Sequence, residues 1–178
     1  MDIFTFLIIG HLIGTVLGVG GATFLEVFLN KGLKDGSLDR YEGDTLKTTF
    51  TTVRIGLALS ILTGFGLILI YRFEGQMFQF YDPTLWAKFT ILGVIVVNAL
   101  LLQAHKIPIW LGSPLSFISW YSVMIAGVLL RGPQISYFTV MLYYCAALLI
   151  GGFLMEGIRH SMKAQYAKQQ ASLPPQSS

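Results

Sequence analysis

This chain is poor in the residues on which most soluble chemistry depends. One cysteine, Cys145, stands among 178 residues. No disulfide can form within the chain, and no set of thiolates can hold a zinc ion or an iron–sulfur cluster. Charged residues make up 12% of the sequence, against about 25% in an ordinary soluble domain. Most of the surface is therefore not built to face water. Histidine occurs three times, as His11, His105 and His160. There is no P-loop, no G-x-G-x-x-G after a strand, no H-E-x-x-H and no nucleophile elbow. The net charge of +3 comes from basic residues that flank apolar runs, which is a topology signal and points away from nucleic acid as a partner.

What the sequence has instead is long apolar runs. Hydrophobic residues reach 54%, and the mean hydropathy is +0.66. A helix needs roughly 20 apolar residues to cross the hydrocarbon core of a bilayer. Five segments meet that need, at about residues 3–29, 51–71, 84–104, 115–130 and 136–156. They are continuous, without the alternation of barrel strands. The fold class is thus all-α, a polytopic membrane protein with five transmembrane helices. Residues 1–160 are expected to form the bundle, and residues 161–178 a polar, partly disordered cytoplasmic tail. The first run lacks a positively charged leader and exceeds the length of a signal-peptide core, so it is expected to remain in the mature protein.

Lysine and arginine set the expected orientation. Lys31, Lys34, Arg40, Lys47, Lys106, Arg159, Lys163 and Lys168 fall on one side of the five spans, and Arg72 and Arg131 on the other. The positive-inside rule then places the N-terminus outside and the C-terminus inside, in a bacterial-type inner membrane. Trp86 and Trp110 fit the aromatic belts at the two interfaces.

An ionisable residue inside a span is a functional-site hypothesis in its own right. His11 lies in the apolar run from Phe4 to Gly18, roughly 10 Å below the outer boundary at 1.5 Å per residue. Lys88 and the pair Tyr143 and Tyr144 fall in the same outer half. Gly10, Gly14 and Gly18 repeat at every fourth residue, a doubled GxxxG that serves close helix packing, dimerisation included. Gly14 and Gly18 also share the face of His11 and leave room for a flat macrocycle. At the inner end, Glu26 and Arg54 are expected to meet as a structural ion pair between antiparallel neighbours, with a proton relay as the other reading. His105 ends its span about 15 Å from the depth of His11, and His160 lies further still. Metal–nitrogen bonds are about 2 Å long, so neither can share a metal with His11 within one chain. Asn98 is read as a helix–helix hydrogen bond, and Trp120 and Tyr121 as packing.

A histidine early in the first span, a Gly-rich stretch after it, and the run Leu85-Trp86-Ala87-Lys88 before an apolar helix resemble the HemJ-type protoporphyrinogen oxidases and the related copper-resistance-D-like bacterial membrane proteins. The resemblance covers the first and third spans. It implies a small helical bundle that binds haem b, with His11 matching the family histidine and Lys88 the lysine. Where the HemJ type often carries a further histidine past that lysine, this chain has Asn98.

Three functions remain open on these residues. The first is a haem-b-binding or redox-linked membrane protein of oxidoreductase type. In it His11 is the axial metal ligand, Lys88 pairs with a propionate, Gly14 and Gly18 admit the ring, and Tyr143 or Tyr144 completes the pocket. The second is a cofactor-free carrier for a metal ion or small solute. The third is a structural or assembly subunit, forming a homodimer or joining a larger membrane complex through the glycine face of the first span.

Overall fold

The computed structural model describes residues 2–32, 39–76, 80–130 and 132–171. Five helices follow in chain order: α1 Ile3–Gly32, α2 Arg40–Phe73, α3 Pro83–Gln103, α4 Ile109–Leu129 and α5 Tyr137–Ala171. No strand occurs among the described residues. Each helix is long and apolar enough to cross a membrane. Large apolar side chains such as Phe6, Leu12, Val16, Leu62, Phe65, Val128, Leu142 and Phe153 face outward on the bundle. So wide an apolar exterior fits lipid and not water.

Helix boundaries follow from local chemistry. Asp2 accepts the Thr5 N–H at 3.0 Å at the start of α1. Hydrogen bonds from Thr5, side chain first and backbone second, hold the Asp2 carboxyl below its ordinary value. Asp39 and Glu42 form a capping box at α2. Asp82 accepts the Thr84 N–H at 2.8 Å ahead of Pro83, which opens α3. Past the end of α2, Gly75 turns left-handed at φ 73°, where glycine carries no steric penalty. The same role at the end of α3 falls to His105, at φ 53°. There the Lys106 N–H returns to the Leu101 carbonyl and the His105 N–H to Leu102, the hydrogen-bond pattern of a Schellman motif.

Three helices, α2, α4 and α5, extend well beyond the sequence expectation. α4 begins at Ile109 and not near 115, with Pro114 inside it. α5 runs on to Ala171, so the tail expected to be partly disordered begins as a continuation of that helix. The remainder of that tail, residues 172–178, lies outside the described residues, as do Lys34 and Arg131. α2 is also longer than its apolar core. Thr45, Thr48, Thr49, Thr51 and Thr52 each donate to the carbonyl four residues back. Hydroxyls satisfied in this way can enter an apolar region without an outside partner.

α4 is the central helix, packed against α1, α3 and α5. Half of its apolar window is buried, against 11–22% for the other four helices. α1 and α2 pack closest of all. A Cβ on Gly14 would stand 2.7 Å from the Ser60 backbone nitrogen and 2.9 Å from the Gly56 carbonyl oxygen. A Cβ on Gly56 would meet Gly18 N and Gly14 O at 2.7 and 2.8 Å. The doubled GxxxG therefore holds two helices of this chain backbone to backbone. Gly18 meets the Trp120 indole and Gly21 meets Val53. Trp120, Ala22, Val53, Leu57, Ile91, Ile95 and Val123 form the apolar middle of the bundle.

Candidate functional site

Two polar layers bracket that apolar middle. The first lies toward the end of the bundle where the chain begins. His11 of α1 turns onto α2, and its Nδ1 stands 3.0 Å from the Ser60 carbonyl oxygen. A carbonyl can only accept, so Nδ1 carries a hydrogen, and in the neutral ring Nε2 keeps the lone pair. The Thr63 hydroxyl, 3.4 Å from the same nitrogen, already donates to the Leu59 carbonyl at 2.6 Å. Gly64 makes room for the ring, since a Cβ there would lie 3.1 Å from Cε1. The Thr15 hydroxyl closes onto the His11 carbonyl at 2.8 Å. No hydrogen bond reaches Nε2 among the described residues.

Helix register brings the other members to this level. α1 and α4 run antiparallel, with Gly18 on Trp120 and Glu26 on Ser113. Seven residues before Gly18 is His11, and seven after Trp120 is Gly127. Lys88 of α3 points its Nζ at Gly127, where a Cβ would lie 3.5 Å away. Lys88 makes no hydrogen bond or ion pair with the described residues. An imidazole with a free nitrogen and an ammonium thus lie at one level of the bundle, that of Gly127 on α4.

The remaining residues expected at this site are elsewhere. Gly14 and Gly18 are covered by α2 and by Trp120, so no flat ring can lie over them. The same contacts remove the glycine face as a docking surface for a second copy or a larger complex. Tyr143 is 70% exposed and faces away from the bundle. Tyr144 is 5% exposed, and its hydroxyl bonds Ser119 at 2.8 Å. Adjacent helix positions point about 100° apart, so the two tyrosines cannot face one pocket. Ser119 lies eight residues from Gly127 along α4, which is about 12 Å of helix rise. That distance removes Tyr144 from the His11 layer.

The second layer lies at the opposite end, and it corrects the expected pairing of Glu26 with Arg54. The partner of Glu26 is Arg159 of α5, with Nη2 2.7 Å from Oε1. The other carboxylate oxygen accepts the Ser113 hydroxyl at 2.5 Å. Asn30 donates to Oε1 at 3.2 Å and receives the Arg159 Nε–H at 2.8 Å. Arg159 Nη1 donates to the Trp110 carbonyl. Pro114 explains that last bond. Proline has no N–H, so the carbonyl four residues before it loses its helical donor. That carbonyl belongs to Trp110, and the guanidinium takes the vacant place. Arg54 fails as a partner because of depth. The register that sets Gly21 on Val53 carries Arg54 past Glu26 toward the bundle middle, and its side chain is exposed. Asn98 forms the expected interhelical bond, donating to the Gly112 carbonyl at 2.8 Å.

Comparison with protein-family models, curated proteins and solved structures gives no match. Among the described residues no three His, Cys, Asp or Glu side chains cluster as a metal site. A haem-type group laid over the glycine stripe is excluded by packing. The His11 imidazole itself suits an axial ligand, because a carbonyl fixes its Nδ1 and orients Nε2. Sequence reasoning missed Arg159, Ser113, Ser60 and Thr63. A signal for Arg159 did exist: a proline within α4 leaves a carbonyl in need of a donor.

Proposed function

We propose that this chain is a multi-pass inner-membrane protein of bacterial type, N-terminus outside, that holds a haem-b-type cofactor in its outer half through His11. The observation that carries this reading is the state of the imidazole: Nδ1 bound to the Ser60 carbonyl, Nε2 unclaimed, and the Lys88 ammonium on the same layer. Nε2 would ligate the iron, and Lys88, whose Nζ lies against Gly127, would pair with an anionic arm. Haem b would supply a redox-active iron, and the resemblance to the HemJ type makes oxidation of a tetrapyrrole the first reaction to assay. The protein contributes position. The Ser60 carbonyl fixes the tautomer, and the apolar exterior around α1 limits access of water.

The test is an absorption spectrum of protein purified after expression with ample haem, oxidised and reduced. A Soret band that His11→Ala abolishes and Lys88→Met weakens supports the reading. A colourless protein, or a Soret band indifferent to His11→Ala, overturns it. The carrier reading would need a path through the Trp120 layer, which is packed shut. The assembly reading loses its docking face, because the glycines of α1 are spent within the chain. Orientation is checked separately by a single cysteine at Ser161 in a Cys145→Ala background. It should react with a membrane-impermeant maleimide only after the cells are opened.

A further inference from the structure

A groove of about 460 Å³ opens at the Gly32 end of the bundle, between α2, the end of α3 and the turn into α4. It plays no part in the His11 layer and does not include Glu26 or Arg159. Three basic side chains line it: Lys47, Arg54 and His105. Phe50, Leu102 and Ile109 supply apolar wall. Among the described residues no carboxylate lines it, and Lys47 also pairs with Asp44 at 3.1 Å on the exposed first turns of α2. Arg54 makes no ion pair among the described residues.

The backbone at His105 gives an independent indication. It holds the left-handed cap position of α3 at φ 53°, where glycine is the ordinary choice. A side chain there is strained relative to glycine, and this one lines the groove. The groove therefore carries two cations, Lys47 and Arg54, an imidazole and the neutral polar groups of Thr51 and Gln103 beside greasy walls, at the end of a bundle sized to cross a bilayer.

We propose that this groove binds an anionic phospholipid, its phosphate held by Arg54, Lys47 and His105 and an acyl chain laid against Phe50, Leu102 and Ile109. Charge complementarity selects the headgroup: an arginine forks onto phosphate oxygens, and each basic residue near an anionic headgroup strengthens binding about fivefold. The apolar wall selects a lipid over a free anion.

The experiment uses the full chain in neutral detergent, followed by thermal unfolding and by native mass spectrometry. The probes are phosphatidylglycerol, phosphatidylcholine of the same chain length, and inorganic phosphate. Phosphatidylglycerol should raise the unfolding temperature and stay bound, while the other two do neither. Arg54→Gln should weaken that binding about fivefold, and Arg54→Gln with Lys47→Gln about 25-fold. His105→Gly separates function from folding: it should leave the protein as stable or more stable without lipid, and lower its preference for phosphatidylglycerol. Lys163→Gln with Lys168→Gln, basic and exposed on α5, should change nothing. Equal stabilisation by phosphatidylcholine or by phosphate alone overturns the proposal. So does a lipid preference that survives the Arg54 and Lys47 changes, or one that the α5 changes abolish.

Discussion

Replacing Arg159 tests the architecture more sharply than any change at the candidate site. Its guanidinium serves three acceptors on two other helices: the Glu26 carboxylate, the Asn30 amide oxygen and the Trp110 carbonyl. Both charged side chains are out of reach of solvent, 7% exposed for Arg159 and 3% for Glu26. Arg159→Ala leaves a buried carboxylate without its counter-charge, which costs about 3–5 kcal/mol. It also orphans the Trp110 carbonyl that Pro114 has already deprived of its helical donor. Ser113 still donates to Glu26, and Glu26 can take up a proton, so the loss should stay within that range. In a chain of this size 1 kcal/mol moves the unfolding midpoint by about 2–4 °C, so the expected drop is about 6–20 °C.

The assay is thermal unfolding in mild detergent, followed by circular dichroism or tryptophan emission. A second variant isolates the cause. Glu26→Gln removes the charge that Arg159→Met strands, so the double variant should be more stable than Arg159→Met alone. Arg159→Lys should fall between, since one ammonium cannot fork to three acceptors. A drop of about 1 kcal/mol or less is what an exposed ion pair gives. That result, or a double variant no better than the single, would refute the buried network.

Other expectations are simpler. Gly14→Ala should destabilise by about 1–3 kcal/mol, because its Cβ meets backbone that cannot move aside. Gly20→Ala, with open space around it, should be neutral or stabilising by up to about 1 kcal/mol in the same unfolding assay. His11→Ala should cost only about 0.5–1.5 kcal/mol, the worth of one hydrogen bond to Ser60. A folded apoprotein therefore remains for the spectral test. Asp82→Ala should lower stability by about 1 kcal/mol through loss of the α3 cap.

Length and hydropathy made the helices legible. A span needs a run of apolar residues whatever it packs against, and five such runs give five helices. The glycine repeat announced a close helix contact, and Asn98 an interhelical hydrogen bond. Counting residues could place His11 and Lys88 in the same half of the bundle. Periodicity carries no information about partners, however, and here the reading of single residues failed. Charge and proximity in the chain favoured Arg54 for Glu26, because α1 and α2 are consecutive. The structure chose Arg159, 133 positions away, because Glu26 faces α4 and α5 at a depth that Arg54 overshoots.

The sequence by itself determined that this chain makes five helices apolar enough for a bilayer, since the cost of an unbonded backbone in lipid leaves a long apolar segment little else to be. Only the tertiary structure decided what each small or polar residue faces. It filled the glycine stripe with α2 and Trp120, separated Tyr143 from Tyr144, and left His11 with one nitrogen anchored and one free. Those outcomes depend on the rotation and depth of neighbouring helices, and pairwise packing fixes both.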